Sequence, residues 1–274
     1  MRLLMCRPTH YRIAYEINPW MSLRRQADHA RALRQWQALY ALLTRQLAVR
    51  VVLMPPHRGV PDLTFTANAG LVSGRCFLLS RFRYRQRQRE EPYVERYARA
   101  AGYEVVRLPA RYTFEGEGDA LWAGGTLVFG FRFRSDAPAH EALAQRLAAP
   151  VLPVELADRR FYHLDTCFCP LPGGGALWFP GAFDRYGRKV LEGLCDPLIS
   201  ASEADAKRFA CNAIVVGGAI VMQAGCSRAL ARRLERARLR LWPVDLSEFL
   251  KAGGSAKCLA LWLRRPDGSQ AMAG

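Results

Sequence analysis

The sequence has very little lysine, and this shapes what its positive charge can mean. Only four of its forty basic residues are lysines, so the formal net charge of +16 over 274 residues is carried by arginine. The arginines are scattered, with two dense stretches at 80–90 and 227–240. A basic surface of this kind can bind nucleic acid, but zinc-finger spacing, an RNP-like motif and a basic tail are all missing. We therefore expect a solvated basic surface and no nucleic-acid partner.

Long apolar runs are also missing. None approaches the ~20 residues that a membrane-spanning helix needs, and the start, MRLLMCRPTH, lacks the apolar core and cleavage site of a signal peptide. The eight cysteines lie mostly in apolar runs, which is typical of small buried thiols rather than disulfides. Half of the residues are apolar, as in a globular protein with a large core. These features predict a cytoplasmic protein without a membrane partner.

The chain repeats a strand–strand–helix–strand order about every fifty residues. The first full unit has a hairpin at 71–80 that turns at Ser73-Gly74, a helix at 90–101 and a strand at 103–108. Three further hairpins are predicted at 120–131, 161–180 and 212–222. They are followed by a helix from about Asp136 with a strand at 151–155, by less regular helical sequence, and by a helix at 227–238 with a strand at 239–244.

The fifth unit uses both ends of the chain. CLALWL (258–263) is predicted to pair with RLLMC (2–6), followed by a helix at 22–47 and a strand at 49–54. Units that cannot bury their apolar faces alone are expected to stack into a closed ring. The predicted fold is therefore an α/β, five-bladed propeller forming one domain at 1–264, with a flexible tail at 265–274. A doubly wound sheet is the alternative, but the hairpins are too regular for simple βαβ crossovers.

One chemically reactive or polar residue lies near the start of each hairpin. These residues are Asn68, Glu115, His163, Asn212 and Cys258, separated by 47, 48, 49 and 46 positions. Equivalent positions in a ring converge on one axis. A thiol, an imidazole and a carboxylate are therefore expected to share a central cavity.

The stretch HLDTCFC (163–169) has the alternation of a strand, with His163, Asp165, Cys167 and Cys169 on one face. A zinc site would need these ligands to converge on one ion, and a second ligand pair such as CxxC is missing. Two interpretations stay open: a positioned histidine with a carboxylate beside it, or a core histidine among buried thiols.

The stretch FEGEGDAL (114–121) crowds Glu115, Glu117 and Asp119 among glycines, which allow tight turns. Carboxylates held close together attract a cation, either a metal ion or a planar guanidinium, whose fork matches a carboxylate. A solvated acidic turn is the alternative.

The stretch SEFLKAGGSAKCLAL (247–261) places Cys258 after a pliant glycine loop and next to Lys257. A thiolate is a nucleophile, and neighbouring cations lower the pKa of a thiol. Lys257 and a cationic substrate are both candidates for that role. Considered alone, Cys258 would be a buried thiol; together with a histidine it suggests covalent catalysis.

Taken jointly, the motifs resemble the guanidino-group modifying superfamily of dimethylarginine dimethylaminohydrolases, arginine deiminases and glycine amidinotransferases, and they are most similar to its arginine dihydrolase branch. The resemblance covers about residues 2–264 and implies the five-bladed propeller. The motifs that carry it are MCRPTHYRIAYEINPWM (5–21), PDLTFTANAGLV (61–72), FEGEGDAL (114–121), FYHLDTCFCPL (161–171), FPGAFD (179–184), FACNAIVV (209–216) and SEFLKAGGSAKCLAL.

The resemblance also implies roles for individual residues. Cys258 would attack the guanidinium carbon, and His163 would act as the general acid and base. Glu115 would hold the guanidinium nitrogens, with Glu117 as the fallback because this motif is one residue longer than the common form. The remaining substrate contacts implied are Asp165, Asp119, Arg87 and Arg134, the two arginines for the α-carboxylate of the substrate.

Asn68 stands where many deiminases carry an acidic residue. A neutral amide can bind both a guanidinium and the ureido group of citrulline, and the dihydrolase branch has this asparagine. The resemblance thus implies two rounds of hydrolysis on arginine, giving ornithine, carbon dioxide and two ammonia, with no cofactor and no metal. A deiminase or dimethylarginine hydrolase, an amidinotransferase and a non-catalytic nucleic-acid-binding protein stay open as alternatives, as does a homo-oligomer.

Overall fold

The computed structural model describes residues 1–265, which form five three-stranded sheets with helices between their strands. The β-strands are β1 (Arg2–Cys6), β2 (Arg50–Met54), β3 (Gly70–Ser73), β4 (Cys76–Leu79), β5 (Glu104–Arg107), β6 (Ala120–Ala123), β7 (Thr126–Phe131), β8 (Val151–Glu155), β9 (Phe168–Pro170), β10 (Ala176–Trp178), β11 (Leu198–Ser200), β12 (Ile214–Val216), β13 (Ala219–Gln223), β14 (Arg240–Val244) and β15 (Leu261–Arg264). The α-helices are α1 (His29–Ala41), α2 (Arg85–Gln88), α3 (Glu91–Ala100), α4 (Ala139–Leu147), α5 (Arg185–Leu194), α6 (Glu203–Lys207), α7 (Arg228–Arg236) and α8 (Ser247–Leu250).

Every sheet is built in the same way. Its middle strand is antiparallel to the strand before it and parallel to the strand after it, and the orders are β15-β1-β2, β3-β4-β5, β6-β7-β8, β9-β10-β11 and β12-β13-β14. A parallel pair needs a crossover connection, and a helix provides it in each sheet. This confirms a mixed α/β fold with a fivefold strand–strand–helix–strand repeat.

The two ends of the chain complete one sheet together, as predicted. β15 lies antiparallel to β1, with Leu3 opposite Trp262 and Leu4 opposite Leu261. β1 then pairs in parallel with β2 along its whole length. Of the predicted tail at 265–274, only Arg265 lies within the described residues, where its guanidinium donates to Glu117 at 2.9 Å; residues 266–274 lie outside them.

Each sheet is buried on both faces, because alternate residues along a strand point to opposite sides. In β1, Leu3 and Met5 join an apolar cluster with β13 and β14, whereas Leu4 and Cys6 join a cluster with β3 and β4. The five apolar clusters found in residues 1–265 each lie between two sheets that follow one another in the repeat. One of them packs the β12–β14 sheet against the β1 sheet, so the series of clusters returns to its start.

Helix α1 begins later than the sequence pattern predicts. The apolar spacing predicted a helix from residue 22, but it starts at His29, because the side chain of Asp28 accepts a hydrogen bond from the backbone N–H of Arg31 and caps it. Ala32, Trp36 and Leu39 form its buried face, and a π-helical turn at Leu42–Gln46 continues it to the loop before β2.

The third unit is more regular than predicted. The helical sequence after β10 forms the ten-residue helix α5, capped by the side chain of Asp184, and β11, which the sequence analysis missed, follows it. None of the helices within residues 1–265 is long and apolar enough to span a bilayer.

Candidate active site

The five residues at equivalent positions of the repeat are all buried, with 2% or less of each exposed. Cys258 and Asn212 contact each other, with 3.1 Å between the sulfur and Nδ2. His163 and Glu115 form a hydrogen bond of 2.8 Å between Nε2 and Oε2. Asn68 and the His163 ring both lie against Gly118, so closely that a Cβ there would stand 2.3 Å from Asn68 Nδ2 and 3.3 Å from the ring. The structure therefore brings these residues together in two adjoining groups.

The first group surrounds the thiol of Cys258. Its sulfur lies 3.3 Å from Oδ2 of Asp165. Burial, together with the negative charge of Asp165, raises the pKa of this thiol well above its usual value. The thiol is therefore protonated in the substrate-free protein, and a cation beside it would favour the reactive thiolate.

Lys257 does not supply that cation, contrary to the expectation from its place in the sequence. Its ammonium donates to Glu117 at 2.9 Å and to the backbone carbonyl of Ala260 at 3.1 Å. The loop before Cys258 is not pliant either: residues 252–260 are buried, and a Cβ on Gly254 would stand 2.5 Å from the Phe65 ring. The loop is packed in one conformation that fixes the position of the thiol.

The second group is the pair of His163 and Glu115. Although burial raises it, the pKa of Glu115 lies well below its usual value, because the Arg134 guanidinium and His163 stabilise the carboxylate. Burial lowers the pKa of His163 to about 4, although Glu115 opposes this. The imidazole is therefore neutral near pH 7, with its Nε2–H donating to Glu115. Within residues 1–265, Nδ1 has no hydrogen-bond partner, which leaves a free lone pair to accept a proton.

A tight turn joins the two groups. Residues 163–169 were predicted to alternate as a strand, but Leu164–Thr166 form a single 3₁₀ turn, closed by the Thr166 hydroxyl donating to the His163 carbonyl at 2.6 Å. As a result, Asp165 reaches Cys258 while His163 reaches Glu115. Cys167 and Cys169 instead pack into two different apolar clusters. No three metal-ligating side chains converge anywhere in the described part of the chain.

The carboxylates of FEGEGDAL diverge rather than sharing one cation. All three are fully buried, so the turn is not solvated. Glu115 faces His163. Glu117 forms ion pairs with Lys257 and Arg265 and accepts a hydrogen bond from the backbone N–H of Trp262. Glu115, and not the fallback Glu117, is the carboxylate that lies beside His163.

Asp119, which was expected to contact substrate, is hydrogen-bonded through both of its carboxylate oxygens. Its Oδ2 accepts from the Ser135 hydroxyl at 2.7 Å and its Oδ1 from the backbone N–H of Leu164 at 3.1 Å. Burial raises the pKa of Asp119 well above its usual value. Because it anchors the turn that carries His163 and Asp165, Asp119 positions the site.

The two predicted arginines both line the cavity next to Cys258, and each is already paired with a carboxylate. Arg87 donates to Glu90 through Nε and Nη2, at 2.8 Å each, and to Oδ1 of Asn68 at 2.8 Å. Arg134 donates to Glu115 at 3.1 Å and to the Ile17 carbonyl at 3.0 Å. Its guanidinium also lies between the rings of Tyr84 and Tyr162, at 4.8 and 4.5 Å from their centroids.

This cavity contains residues that the sequence analysis did not assign to the site. Asp62 accepts from the Tyr15 hydroxyl at 2.9 Å through Oδ2, whereas its Oδ1 is buried without a donor in the described residues. A lone carboxylate in the apolar stretch PDLTF was the signal that could have identified it. The cavity is lined by Ile17, Asn18, Met21, Asp62, Phe65, Asn68, Arg87, Arg134, Tyr162, Ala252, Gly254 and Cys258.

The loop between β1 and α1 covers one side of the cavity. Asn18 holds it there by donating from Nδ2 to the Ala252 carbonyl at 3.1 Å and accepting from the backbone N–H of Trp20 through Oδ1. The indole of Trp20 donates to the Arg160 carbonyl at 2.7 Å. Several hydrogen bonds therefore hold the β1–α1 loop over this side of the cavity.

Proteins similar to this chain include arginine dihydrolases and dimethylarginine dimethylaminohydrolases. The bifunctional arginine dihydrolase/ornithine cyclodeaminase AgrE of Nostoc sp. is 46% identical over 97% of this chain, which spans 38% of that protein. The N(G),N(G)-dimethylarginine dimethylaminohydrolase of Mycobacterium tuberculosis is 36% identical, over 95% of this chain and 85% of its own length.

The fold match is equally extensive. A structure of the N-terminal domain of ArgZ, described as an arginine dihydrolase and solved as a cysteine-to-serine variant with its substrate, is 44% identical with a TM-score of 0.90, covering 95% of this chain and 97% of that domain. A profile of the eukaryotic N,N dimethylarginine dimethylhydrolase family matches residues 14–265. The chain therefore belongs to the N,N-dimethylarginine dimethylaminohydrolase family, as its sequence motifs had indicated.

Proposed function

We propose that the protein is a cysteine-dependent hydrolase of the guanidinium group of arginine, and that it acts as an arginine dihydrolase. One observation carries this proposal: the Cys258 sulfur lies 3.3 Å from Asp165, whose other carboxylate oxygen is buried and unpartnered within residues 1–265. A free buried carboxylate oxygen beside a nucleophile is costly unless a cation binds there. A planar guanidinium matches it in charge and shape.

The opposite end of the cavity fits the amino-acid portion of arginine. Arg87 and Arg134 line it and are the proposed contacts for the α-carboxylate. The free oxygen of Asp62 is the proposed acceptor for the α-ammonium group. Arg134 already donates to Glu115, so it would be shared between the substrate and the catalytic carboxylate.

In the proposed first round, His163 takes the proton of the Cys258 thiol at Nδ1, and the sulfur bonds to the guanidinium carbon. The imidazolium returns this proton to the departing ammonia and leaves a thiouronium on Cys258. His163 then takes a proton from water, whose oxygen replaces the sulfur, and the thiol re-forms as citrulline is released. Ionised Glu115 stabilises the imidazolium at each stage.

The proposed second round acts on the ureido carbon of citrulline and releases ornithine, carbon dioxide and a second ammonia. Asn68 supports this step, because its Oδ1 accepts from Arg87 while its Nδ2 is buried without an acceptor among the described residues. A free N–H donor suits the ureido oxygen, which a carboxylate at this position would repel. The 44–46% identity to AgrE and ArgZ supports the dihydrolase over a one-round enzyme.

The same proposal extends to the overall architecture and location. The five sheets are proposed to be blades of one propeller around the central cavity, supported by the cyclic series of apolar clusters. All eight cysteines are unpaired thiols, which supports a reducing compartment such as the cytoplasm.

Product analysis tests the proposed function. Incubation with arginine, dimethylarginine and citrulline followed by mass spectrometry is expected to show ornithine from arginine and from citrulline. Citrulline as the final product would assign a deiminase or dimethylarginine hydrolase, and transfer of the amidino group to an added amine would assign an amidinotransferase.

The matched variant for this experiment is Cys258→Ser, which removes the nucleophile with little change in shape. We expect no turnover while arginine binding, measured by calorimetry, is retained. Turnover at the wild-type rate would remove Cys258 from the mechanism.

A further inference from the structure

Asn212 is a fully buried amide that the proposed mechanism does not use. It lies in the loop between α6 and β12, and its side chain makes two contacts with Cys258 and one with Asp165. Oδ1 accepts the backbone N–H of Cys258 at 3.1 Å, and Nδ2 donates to the backbone carbonyl of Asp165 at 2.9 Å. Nδ2 also lies 3.1 Å from the sulfur of Cys258.

The two backbone contacts fix the orientation of the amide. A backbone N–H requires an acceptor and a backbone carbonyl requires a donor, so exchanging the oxygen and nitrogen of Asn212 would break both contacts. The main chain adds a further link, because the backbone N–H of Lys257 donates to the Asn212 carbonyl at 3.3 Å. One N–H of Nδ2 serves Asp165, so the second is available to point at the sulfur.

We propose that Asn212 is a positioning residue that stabilises the thiolate of Cys258 and aims its sulfur at the substrate. This inference rests on the proposed role of Cys258 as the nucleophile. A fixed N–H donor interacts more strongly with an anionic sulfur than with a neutral thiol, so it favours the ionised form. Asp165, which also contacts the sulfur, is an acceptor and favours the protonated thiol.

The two side chains therefore have opposite effects on one atom. Asp165 holds the thiol proton in the substrate-free protein, and a bound guanidinium would neutralise this carboxylate. The N–H of Asn212 would then stabilise the negative charge on the sulfur until the sulfur bonds to carbon. The fixed amide also holds the main chain of Cys258 in place, since it accepts the backbone N–H of the same residue.

The test measures the thiol without any turnover, so its failure is distinguishable from failure of the proposed function. Alkylation of Cys258 by iodoacetamide is followed against pH by peptide mass spectrometry in the wild type, Asn212→Ala and Asn212→Asp. For Asn212→Ala we expect the midpoint to move up by about one pH unit, so alkylation below the midpoint slows about tenfold. Asn212→Asp keeps the shape and the acceptor but replaces the donor with a negative charge, so it should move the midpoint further.

A matched control is Gln223→Ala, which removes another buried amide from the β12–β14 sheet, one that accepts from the backbone N–H of Leu246. We expect it to lower stability and leave the alkylation midpoint unchanged. Midpoints equal to wild type in both Asn212 variants, or a smaller shift for Asp than for Ala, would overturn the proposal.

A second measurement on the wild-type chain covers the case in which the Asn212 variants do not fold. In ¹⁵N-labelled protein, the side-chain amide resonance of Asn212 should shift with pH at the midpoint of Cys258 alkylation. The same resonance should lose this transition in Cys258→Ser. A resonance that stays constant through the Cys258 titration would exclude a thiolate contact.

Discussion

At the scale of single residues, the pKa of each buried carboxylate in the site is set by its neighbours. Glu115 and Asp165 are both fully buried, yet their pKa values move in opposite directions. Arg134 and His163 keep Glu115 ionised against the effect of burial. Asp165 has no ion-pair partner in contact within residues 1–265, and burial raises its pKa to about 6. Glu115 thus stays negatively charged beside His163 at neutral pH, whereas the pKa of Asp165 lies at about 6.

The raised pKa of Asp165 predicts a pH dependence of activity. Binding of a guanidinium requires the ionised carboxylate, which is lost as the pH falls through about 6. We expect kcat/KM for arginine to fall tenfold per pH unit below this value and to level off above it. His163 stays neutral in this range, because its pKa is about 4. A kcat/KM that is constant from pH 7 to pH 5 would contradict this assignment.

Exchange of the amide at Asn68 for a carboxylate tests the second round of hydrolysis. Asn68→Asp retains an oxygen for the Arg87 guanidinium but loses the Nδ2 donor that we propose for the ureido oxygen. We expect the product from arginine to shift from ornithine towards citrulline, measured as the ratio of the two by mass spectrometry. An unchanged ratio would show that Asn68 does not control the number of rounds.

The spacing of the repeat singled out Cys258, His163, Glu115, Asn68 and Asn212 from the sequence, but not the hydrogen bonds that they make. The contacts of Asn212, and the presence of Asp62 in the cavity, depend on which donors and acceptors remain unsatisfied after folding. The same holds for Lys257, whose charge is neutralised by Glu117 from a distant part of the chain.

At the scale of secondary-structure elements, the turn Gly116–Gly118 sets how closely the site residues approach one another. It connects Glu115 to β6, and the α-carbon of Gly118 packs against Asn68 and His163. A methyl group there would overlap Asn68 Nδ2 at 2.3 Å. Only a residue without a side chain allows the amide and the imidazole to flank the turn.

Gly118→Ala should therefore disrupt the site more than the fold. We expect a loss of about 100-fold or more in kcat/KM, since misplacement by about an ångström has effects of this size, and about 1–3 kcal/mol lower stability from overpacking. The control is Gly125→Ala in the β6–β7 turn, where an added Cβ meets no atom within 4 Å. Equal kinetic losses in both variants would contradict the steric explanation.

Hairpins were the elements most easily predicted, because glycines mark their turns. Gly74 adopts a φ of +57° between β3 and β4, and Gly124 one of +60° between β6 and β7. The stretch 163–169 was misread as a strand because its alternation of residue types coincides with a turn. The alternation of residue types alone could not distinguish a strand from a turn, since the turn at Leu164–Thr166 is closed by a hydrogen bond from the Thr166 hydroxyl to the His163 carbonyl.

At the scale of the whole molecule, stability is shared around a closed series of sheets. Each sheet contributes both of its faces to neighbouring clusters, so no sheet has a core of its own. The fivefold repeat was predictable from sequence because it recurs in the chain. The sequence did not predict which sheets pack against each other, or which residues neutralise individual charges. Both depend on contacts between distant parts of the chain.

A core substitution in one sheet should thus weaken the entire chain. We expect Leu4→Ala in β1, which is fully buried, to lower the free energy of unfolding by about 2–5 kcal/mol. Denaturation followed by tryptophan fluorescence and by circular dichroism should stay coincident. Leu53→Ala in the neighbouring strand β2 is the control, because Leu53 is 46% exposed and should change little. Two separate transitions would show that the sheets unfold independently.

The sheet that joins both ends of the chain has a consequence for biosynthesis. β1 is translated before the other strands of the repeat, but its antiparallel partner β15 emerges only after every other described sheet has been translated. The Cys258 thiol is made directly before β15, so the growing polypeptide carries His163 and Glu115 before it carries the sulfur. The proposed site is therefore complete only once β15 can dock.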